Sequence, residues 1–305
     1  MAMLMVVGIF LSIVATPKDV FSSTYQSVIQ VKYDKLLNTN EQKIIIVGGS
    51  SLAFGLNEAM LEEATGYKVV NLGLHAGFGH KFNAELAKGN INAGDIVLIA
   101  FEYEWMYPGK IDYLGVDLVM SGIDHRLEMY KHIPTDKYSE VLGNLFTHAK
   151  QKLGQTKAEG TYSRSSFDNE GRMILDRQTT SDMLLNYSEH VDYFGTISVE
   201  GEITEESAAY VRELKSYVEE LGASIYFVAA PALKDAVICT DEDFRSYERQ
   251  ILEKTDVPYI SDSISYIFPK ELMYDTVYHC NNAGEAYRTE LLIRDLAAVG
   301  ISAQN

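Results

Sequence analysis

The sequence predicts an α/β chain, a three-layer α/β/α sandwich around a mostly parallel five-stranded sheet, with a large insertion between strands three and four. Three observations predict it. Apolar runs at Ile44–Val47, Val69–Leu72, Asp95–Phe101 and Ser224–Ala229 are continuous rather than alternating, which suits parallel strands covered on both faces. Helical stretches separate these runs, as right-handed crossovers require. A length of 305 residues is enough for one large domain or two small ones.

The elements follow in order. Met1–Thr16 carries no charge and is almost wholly apolar. Crossing a bilayer takes roughly 20 such residues, with about 17 as the short limit. The run therefore reads as a signal-peptide core or an anchor short at its front end. It lacks a basic n-region, and Ser12–Thr16 is a poor cleavage site. An uncleaved anchor with the remaining chain outside the cytoplasm is preferred. Cleavage would make the protein secreted, and a buried N-terminal helix is the alternative. Lys18, Lys32, Lys35 and Lys43 follow the run and weakly favour the opposite orientation, although large domains translocate largely regardless of such charges.

Residues 17–40 read as a polar stem with some helical character, and 41–305 as the folded domain. Strand one is Ile44–Val47. A helix runs from the cap Asn57 to Ala64 and stops at Gly66. A second strand is expected at Val69–Leu72, a helix including Ala84–Asn90, and a third strand at Asp95–Phe101. The sheet rhythm then lapses across 102–202, a tyrosine-rich insertion without a repeat. It resumes with a helix capped by Thr204, with Val211, Leu214, Val218 and Leu221 on one face and Gly222 at its end. Ser224–Ala229 is strand four, Glu242–Glu253 a helix, Pro258–Ile260 a short fifth strand and Ala283–Ala298 the last helix.

A formal net charge of −17 excludes nucleic acid as a partner, because phosphate binding needs a basic surface. It also argues against polybasic attachment to lipid through the chain as a whole. Cys239 and Cys280 have no CxxC spacing, so two ordinary thiols are expected and structural zinc is not supported. No metal and no cofactor is expected.

Two short blocks carry the chemistry. Lys43–Leu56 (KIIIVGGSSLAFGL) ends a buried strand in a glycine pair and two serines. Tyr274–Thr289 (YDTVYHCNNAGEAYRT) places an aspartate and a histidine before the last helix, about 230 residues later. An open α/β sheet assembles a hydrolytic site by bringing such segments to the carboxyl ends of its strands. Ser50 and Ser51 compete for the nucleophile. A serine hydroxyl needs a base to take its proton, and imidazole suits that near neutral pH. An acidic partner then fixes the ring's tautomer.

Gly49-Ser50-Ser51-Leu52-Ala53-Phe54-Gly55 resembles the G-D-S-L-x-x-G first block of the SGNH/GDSL hydrolases, as found in their cell-envelope, polysaccharide-modifying branch. That register puts the nucleophile at Ser51. Asp275-Thr276-Val277-Tyr278-His279 resembles the family's final D-x-x-H block stretched by one residue, and Asn281, Gly284, Arg288 and Thr289 resemble its continuation. The resemblance implies His279 as base and Asp275 as its orienter, with a lone dyad, Asp262 or Glu102 as alternatives. For the oxyanion it implies the Ser51 amide and a second-block glycine, Gly77 or alternatively Gly73, within Asn71–Gly79. The third block's asparagine is missing, since Phe101-Glu102-Tyr103-Glu104 stands there. A third donor is then absent or comes from Tyr103 or the insertion.

His75 and His80 either line the site or pack the loop. The insertion's aromatics, Tyr162 and Tyr187 among them, form a carbohydrate platform or pack a subdomain. Glu102 and Glu104 lack the second acidic site that a glycosidase pair needs. The expected function is a serine esterase or acyltransferase acting on O-acyl groups, acetyl above all, of a cell-surface glycan, with a membrane as partner through the N-terminal segment. The alternative is a non-catalytic polysaccharide-binding or scaffolding protein of the envelope.

Overall fold

The computed structural model describes residues 2–16, 19–154 and 158–303. Its main sheet has four parallel strands in the order β2-β1-β3-β4, where β1 is Lys43–Gly48, β2 Lys68–Asn71, β3 Ile96–Ala100 and β4 Ser224–Phe227. Ile45 of β1 sits opposite Val70 on one side and Val97 on the other. Both β1 and β3 are buried along their whole length, the physical reason their sequences do not alternate. A separate pair joins β5 (Ala232–Leu233) to β6 (Ile267–Phe268).

The fifth strand expected at Pro258–Ile260 does not form. That stretch runs beside β4 and makes one parallel bridge, Tyr259 to Phe227. The Phe227 amide donates to Pro258 O and the Ile260 amide to Phe227 O. Pro258 has no N–H to extend the ladder, so the pairing stops there.

The helices that position the site are α1 (Ala2–Ala15), α2 (Val28–Asn38), α3 (Ser50–Ala53), α4 (Glu58–Thr65), α5 (His80–Ala87), α6 (Val116–Gly122), α7 (Tyr138–Gly154), α8 (Glu205–Glu220), α9 (Asp241–Thr255) and α10 (Asn282–Ala298). One face of the sheet, through Ile44, Ile46 and Leu98, packs on Leu61 of α4 and Leu292 and Leu296 of α10. The other, through Ile45, Val47, Val97 and Ile99, belongs to the larger core with Phe82 of α5 and Leu214 of α8. These two apolar layers make the sandwich. The caps fall where their chemistry requires. Asn57 Oδ1 accepts the Met60 amide, Thr204 accepts the Ser207 amide, and Gly66 closes α4 in the left-handed conformation. The helix expected to include Ala84–Asn90 is α5, which begins at His80 and ends at Ala87, short of Asn90. It follows Gly79, whose φ is +81° and where a Cβ would lie 2.0 Å from Tyr113 O.

Parts of the expected stem and insertion join the main core. Val28, Ile29, Tyr33 and Leu36 of α2 are fully buried there. Their i, i+1, i+5, i+8 spacing makes α2 amphipathic. The segment 102–202 has no strand among its described residues, and its Tyr103, Met106, Ile111, Val119 and Ile197 enter the same core. The apolar N-terminus forms α1, which packs against α7 with most of its side chains exposed, unlike the buried helix considered as an alternative. No described helix is long and apolar enough to cross a membrane. Lys18, counted above among the basic residues after the apolar run, lies outside the described residues.

Candidate active site

The order 2-1-3-4 reverses its direction of growth between β1 and β3, and the carboxyl ends of strands at such a reversal open a crevice. Here the crevice is a cleft of about 390 Å³ whose wall includes Ser50, His75, Glu102, Glu104, Tyr162 and His279.

The turn after β1 is set by close approach. A Cβ at Gly48 would lie 2.4 Å from Ala100 O, and one at Gly49 would lie 2.5 Å from either carboxylate oxygen of Glu102. Glycine is the residue that fits there. Helix α3 starts at Ser50, and successive residues of a helix rotate by about 100°, so the adjacent serines diverge. Ser50 lines the cleft. Ser51 is fully buried and makes no well-aligned hydrogen bond through its hydroxyl, which lies beside Glu102 and helps keep that carboxylate ionised.

The last block closes on itself. The Tyr278 and His279 amides both donate to Thr276 Oγ1, at 3.3 and 3.1 Å. This tight turn absorbs the extra residue of the stretched spacing. His279 Nδ1 lies 2.8 Å from Asp275 Oδ1, so Nδ1 carries the ring proton and Nε2 is left as the basic nitrogen. The other Asp275 oxygen accepts the Tyr162 hydroxyl at 2.7 Å. Burial pushes the Asp275 carboxyl up, but the bond and charge of His279 and the Tyr162 bond outweigh it and hold it below the usual carboxylate range. The His279 ring stacks on Phe54 with centroids 4.0 Å apart and planes 1° from parallel. Asp262 instead accepts the Ser265 hydroxyl, and Glu102 faces His80; neither meets His279.

Buried arginines clamp the two blocks together. Arg288 of α10 donates to Ser51 O at 2.6 Å. Arg177 donates to Phe54 O at 2.6 Å and Cys280 O at 2.9 Å, and pairs with Glu285. Thr289 Oγ1 accepts the Asn57 amide. Asn281 caps α10 by accepting the Gly284 amide, and a Cβ at Gly284 would lie 2.0 Å from Leu272 O. The residues after His279 thus fix the histidine loop against the serine turn. Cys239 and Cys280 are both free.

The expected oxyanion donors are engaged elsewhere. The Gly77 amide donates to His75 Nδ1 at 2.8 Å, and the Gly73 amide to Asn71 Oδ1 at 2.9 Å. The Ser51 amide donates to Glu102 Oε1 at 3.2 Å, and the buried Tyr103 hydroxyl to Ala230 O at 2.9 Å. Each holds a loop in shape instead of facing the cleft. Accepting the Gly77 N–H leaves His75 protonated at Nε2, a neutral donor on a ring that lines the cleft. Burial, followed by the charge of His279, depresses the His75 pKa and favours that neutral form.

Glu102 stands between the end of β3 and the turn that begins at Tyr103. Its Oε2 lies 2.8 Å from His80 Nε2, a close contact rather than a well-aligned hydrogen bond. His80 is stacked on Trp105, with centroids 4.1 Å apart. Burial pushes the Glu102 carboxyl up, yet the contact and charge of His80 and the bond from Ser51 bring it down to about 2. Glu104, by contrast, is pushed up by burial even as it accepts the Tyr278 hydroxyl.

Three placements were not legible as site features: Tyr162 on Asp275, Phe54 under His279, and Arg177 bridging the two blocks. Phe54 and Arg288 carried a signal through their positions in the two blocks and Tyr162 through the aromatic content of the insertion, whereas Arg177 carried none.

No protein-family model matches the chain, and no curated protein matches it. Among solved structures it is similar to YxiM of Bacillus subtilis, at 12% identity and a TM-score of 0.40, over 86% of this chain and 58% of that one. The chain therefore spans less than two thirds of that protein's length.

Proposed function

We propose that this chain is an SGNH-like serine esterase or acyltransferase, acting on O-acyl groups, acetyl in the first instance, of a cell-surface polysaccharide. The observation that carries this reading is one cleft lined by Ser50 and His279, with Asp275 on Nδ1 of His279. Ser50 replaces Ser51 as the nucleophile, because Ser51 is sealed from the cleft.

In this mechanism Ser50 Oγ attacks the ester carbonyl while its proton passes to His279 Nε2. Asp275 stabilises the imidazolium that forms. The His75 Nε2–H and the Ser50 amide, which has no intrahelical acceptor at the first helical position, receive the oxyanion. The proton then goes to the departing alkoxide. Water or a sugar hydroxyl gives a proton to His279 and attacks the acyl-serine; the acyl–Oγ bond then breaks, His279 returns the proton to Ser50 Oγ, and a free acid or a new ester is released. Tyr25, Tyr162 and Tyr278 on the cleft wall offer faces for a sugar ring, and Glu104 and Thr276 offer acceptors for hydroxyls. An extracytoplasmic, membrane-attached location belongs to the same reading and is supported by the uncharged run Met1–Thr16.

A second reading, a non-catalytic glycan-binding protein, is favoured by the ionised Glu102 carboxylate where an oxyanion donor is needed. Hydrolysis of p-nitrophenyl acetate separates the two. Turnover lost in Ser50→Ala and kept in Ser51→Ala supports the enzyme. An inert wild-type protein that still binds acetylated glycan supports the binding protein.

A further inference from the structure

The acidic residues of this chain are unevenly placed. Residues 1–18 and 141–158 contain no aspartate or glutamate. At the chain's average acidity, those thirty-six residues would hold about five. The same two stretches carry Lys18, Lys150, Lys152 and Lys157. They are far apart in sequence but meet in the fold, because α1 packs against α7.

The contact is built. Lys152 of α7 is buried, and its Nζ donates to Val14 O and, at 2.9 Å, to Thr16 O, closing the carboxyl end of α1. Its charge is balanced by Asp124 at 2.5 Å, which also faces His148. His148 in turn stacks on Phe21. A lysine on the last carbonyls of a helix satisfies groups that otherwise lack partners, so α1 is tied to α7 at a defined place.

The outward surface of this pair is apolar. Leu4 is 76% exposed, with Met5, Ile9 and Leu11 also exposed along α1. On α7, Leu142, Phe146 (74% exposed) and Leu153 point outward at helical spacing, with Lys150 exposed among them. Contiguous apolar surface of this kind marks an interaction site. The absence of acid in these two stretches of a chain of net charge −17, with Lys150 exposed among the apolar side chains, selects the partner, since anionic lipid repels carboxylates and attracts lysine.

We propose that α1 and the outer face of α7 form one platform that docks onto the surface of an anionic lipid bilayer. Apolar side chains enter the acyl boundary and Lys150 stays at the headgroups. The platform is independent of the chemistry proposed for the cleft.

Flotation of the full chain with phosphatidylcholine vesicles, with and without one quarter phosphatidylglycerol, tests it. The wild-type protein should float with the mixed vesicles, and less on neutral ones or at high salt. The double substitution Leu142→Glu/Phe146→Glu should lower the bound fraction roughly tenfold or more, as removal of two inserted side chains implies. Melting temperature and circular dichroism should stay unchanged, and Leu142→Gln/Phe146→Gln serves if the charged variant misfolds. Flotation of the variants equal to wild type would overturn the platform in favour of α1 alone. Equal binding to neutral vesicles would overturn the role of charge. A wild-type protein that does not float, but forms a dimer the variants break, would make the face a self-interface.

Discussion

Of the histidine–carboxylate pairs among the described residues, two lie close to the serine turn, His279–Asp275 and His80–Glu102, and of these two rings only His279 lines the cleft. In each, ring nitrogen and oxygen are 2.8 Å apart. At the cleft wall, Asp275 occupies Nδ1 of His279, and the His279 side chain lines the same cleft as Ser50. Under the serine turn, Glu102 meets Nε2 of His80, whose ring is fully buried against Trp105 and Phe101. Equal distances therefore give unequal roles. What decides is whether the second nitrogen can reach anything that reacts.

The comparison is broken most severely by removing the rings in turn. His279→Ala should lower esterase turnover by about a thousandfold or more, read from the steady-state rate, with little change in melting temperature. His80→Ala should do the reverse. It leaves the buried Glu102 carboxylate without its histidine and held by the Ser51 amide, a loss of about 3–5 kcal/mol to be read from urea unfolding. Equal activity losses in both variants would erase the distinction.

The next effect is in pH. The folded pKa of Glu102 is about 2, below its unfolded value. Its contribution is therefore fully present above the unfolded carboxylate range and is lost as pH falls toward 2. That contribution amounts to roughly 3 kcal/mol. Glu102→Gln should flatten the acid limb of stability measured by urea midpoints between pH 5 and 2. An unchanged slope would place the acid sensitivity elsewhere.

A smaller effect concerns Tyr162, whose hydroxyl helps hold Asp275 ionised. Tyr162→Phe should reduce turnover roughly tenfold, the worth of one hydrogen bond to a charged group. The Asp275 pKa should rise, moving the acid limb of the rate profile to higher pH. A shift to lower pH would contradict the pairing.

Much of this geometry was legible in the sequence. Strands β1 to β4 announced themselves because burial on both faces demands unbroken apolar runs. Asp275 and His279 share one turn, so their neighbourhood was local information. The choice between Ser50 and Ser51 was not, since a shift of one residue on a helix decides which hydroxyl meets the cleft. Nor could sequence show that the Gly73 and Gly77 amides are taken by Asn71 and His75, because these bonds depend on how the loop folds back. Tyr162 reaches Asp275 across more than a hundred residues, and no periodicity announces such a contact. The fifth strand was lost to a proline, and the burial of α2 is carried by an amphipathic pattern short enough to pass for a polar segment.

The most direct measurement is mass-spectrometric mapping of a fluorophosphonate adduct on the wild-type protein, with fragmentation that separates the two neighbouring serines. The account predicts a single adduct on Ser50 that disappears in His279→Ala. An adduct on Ser51, or one on Ser50 that forms just as fast without His279, would contradict it.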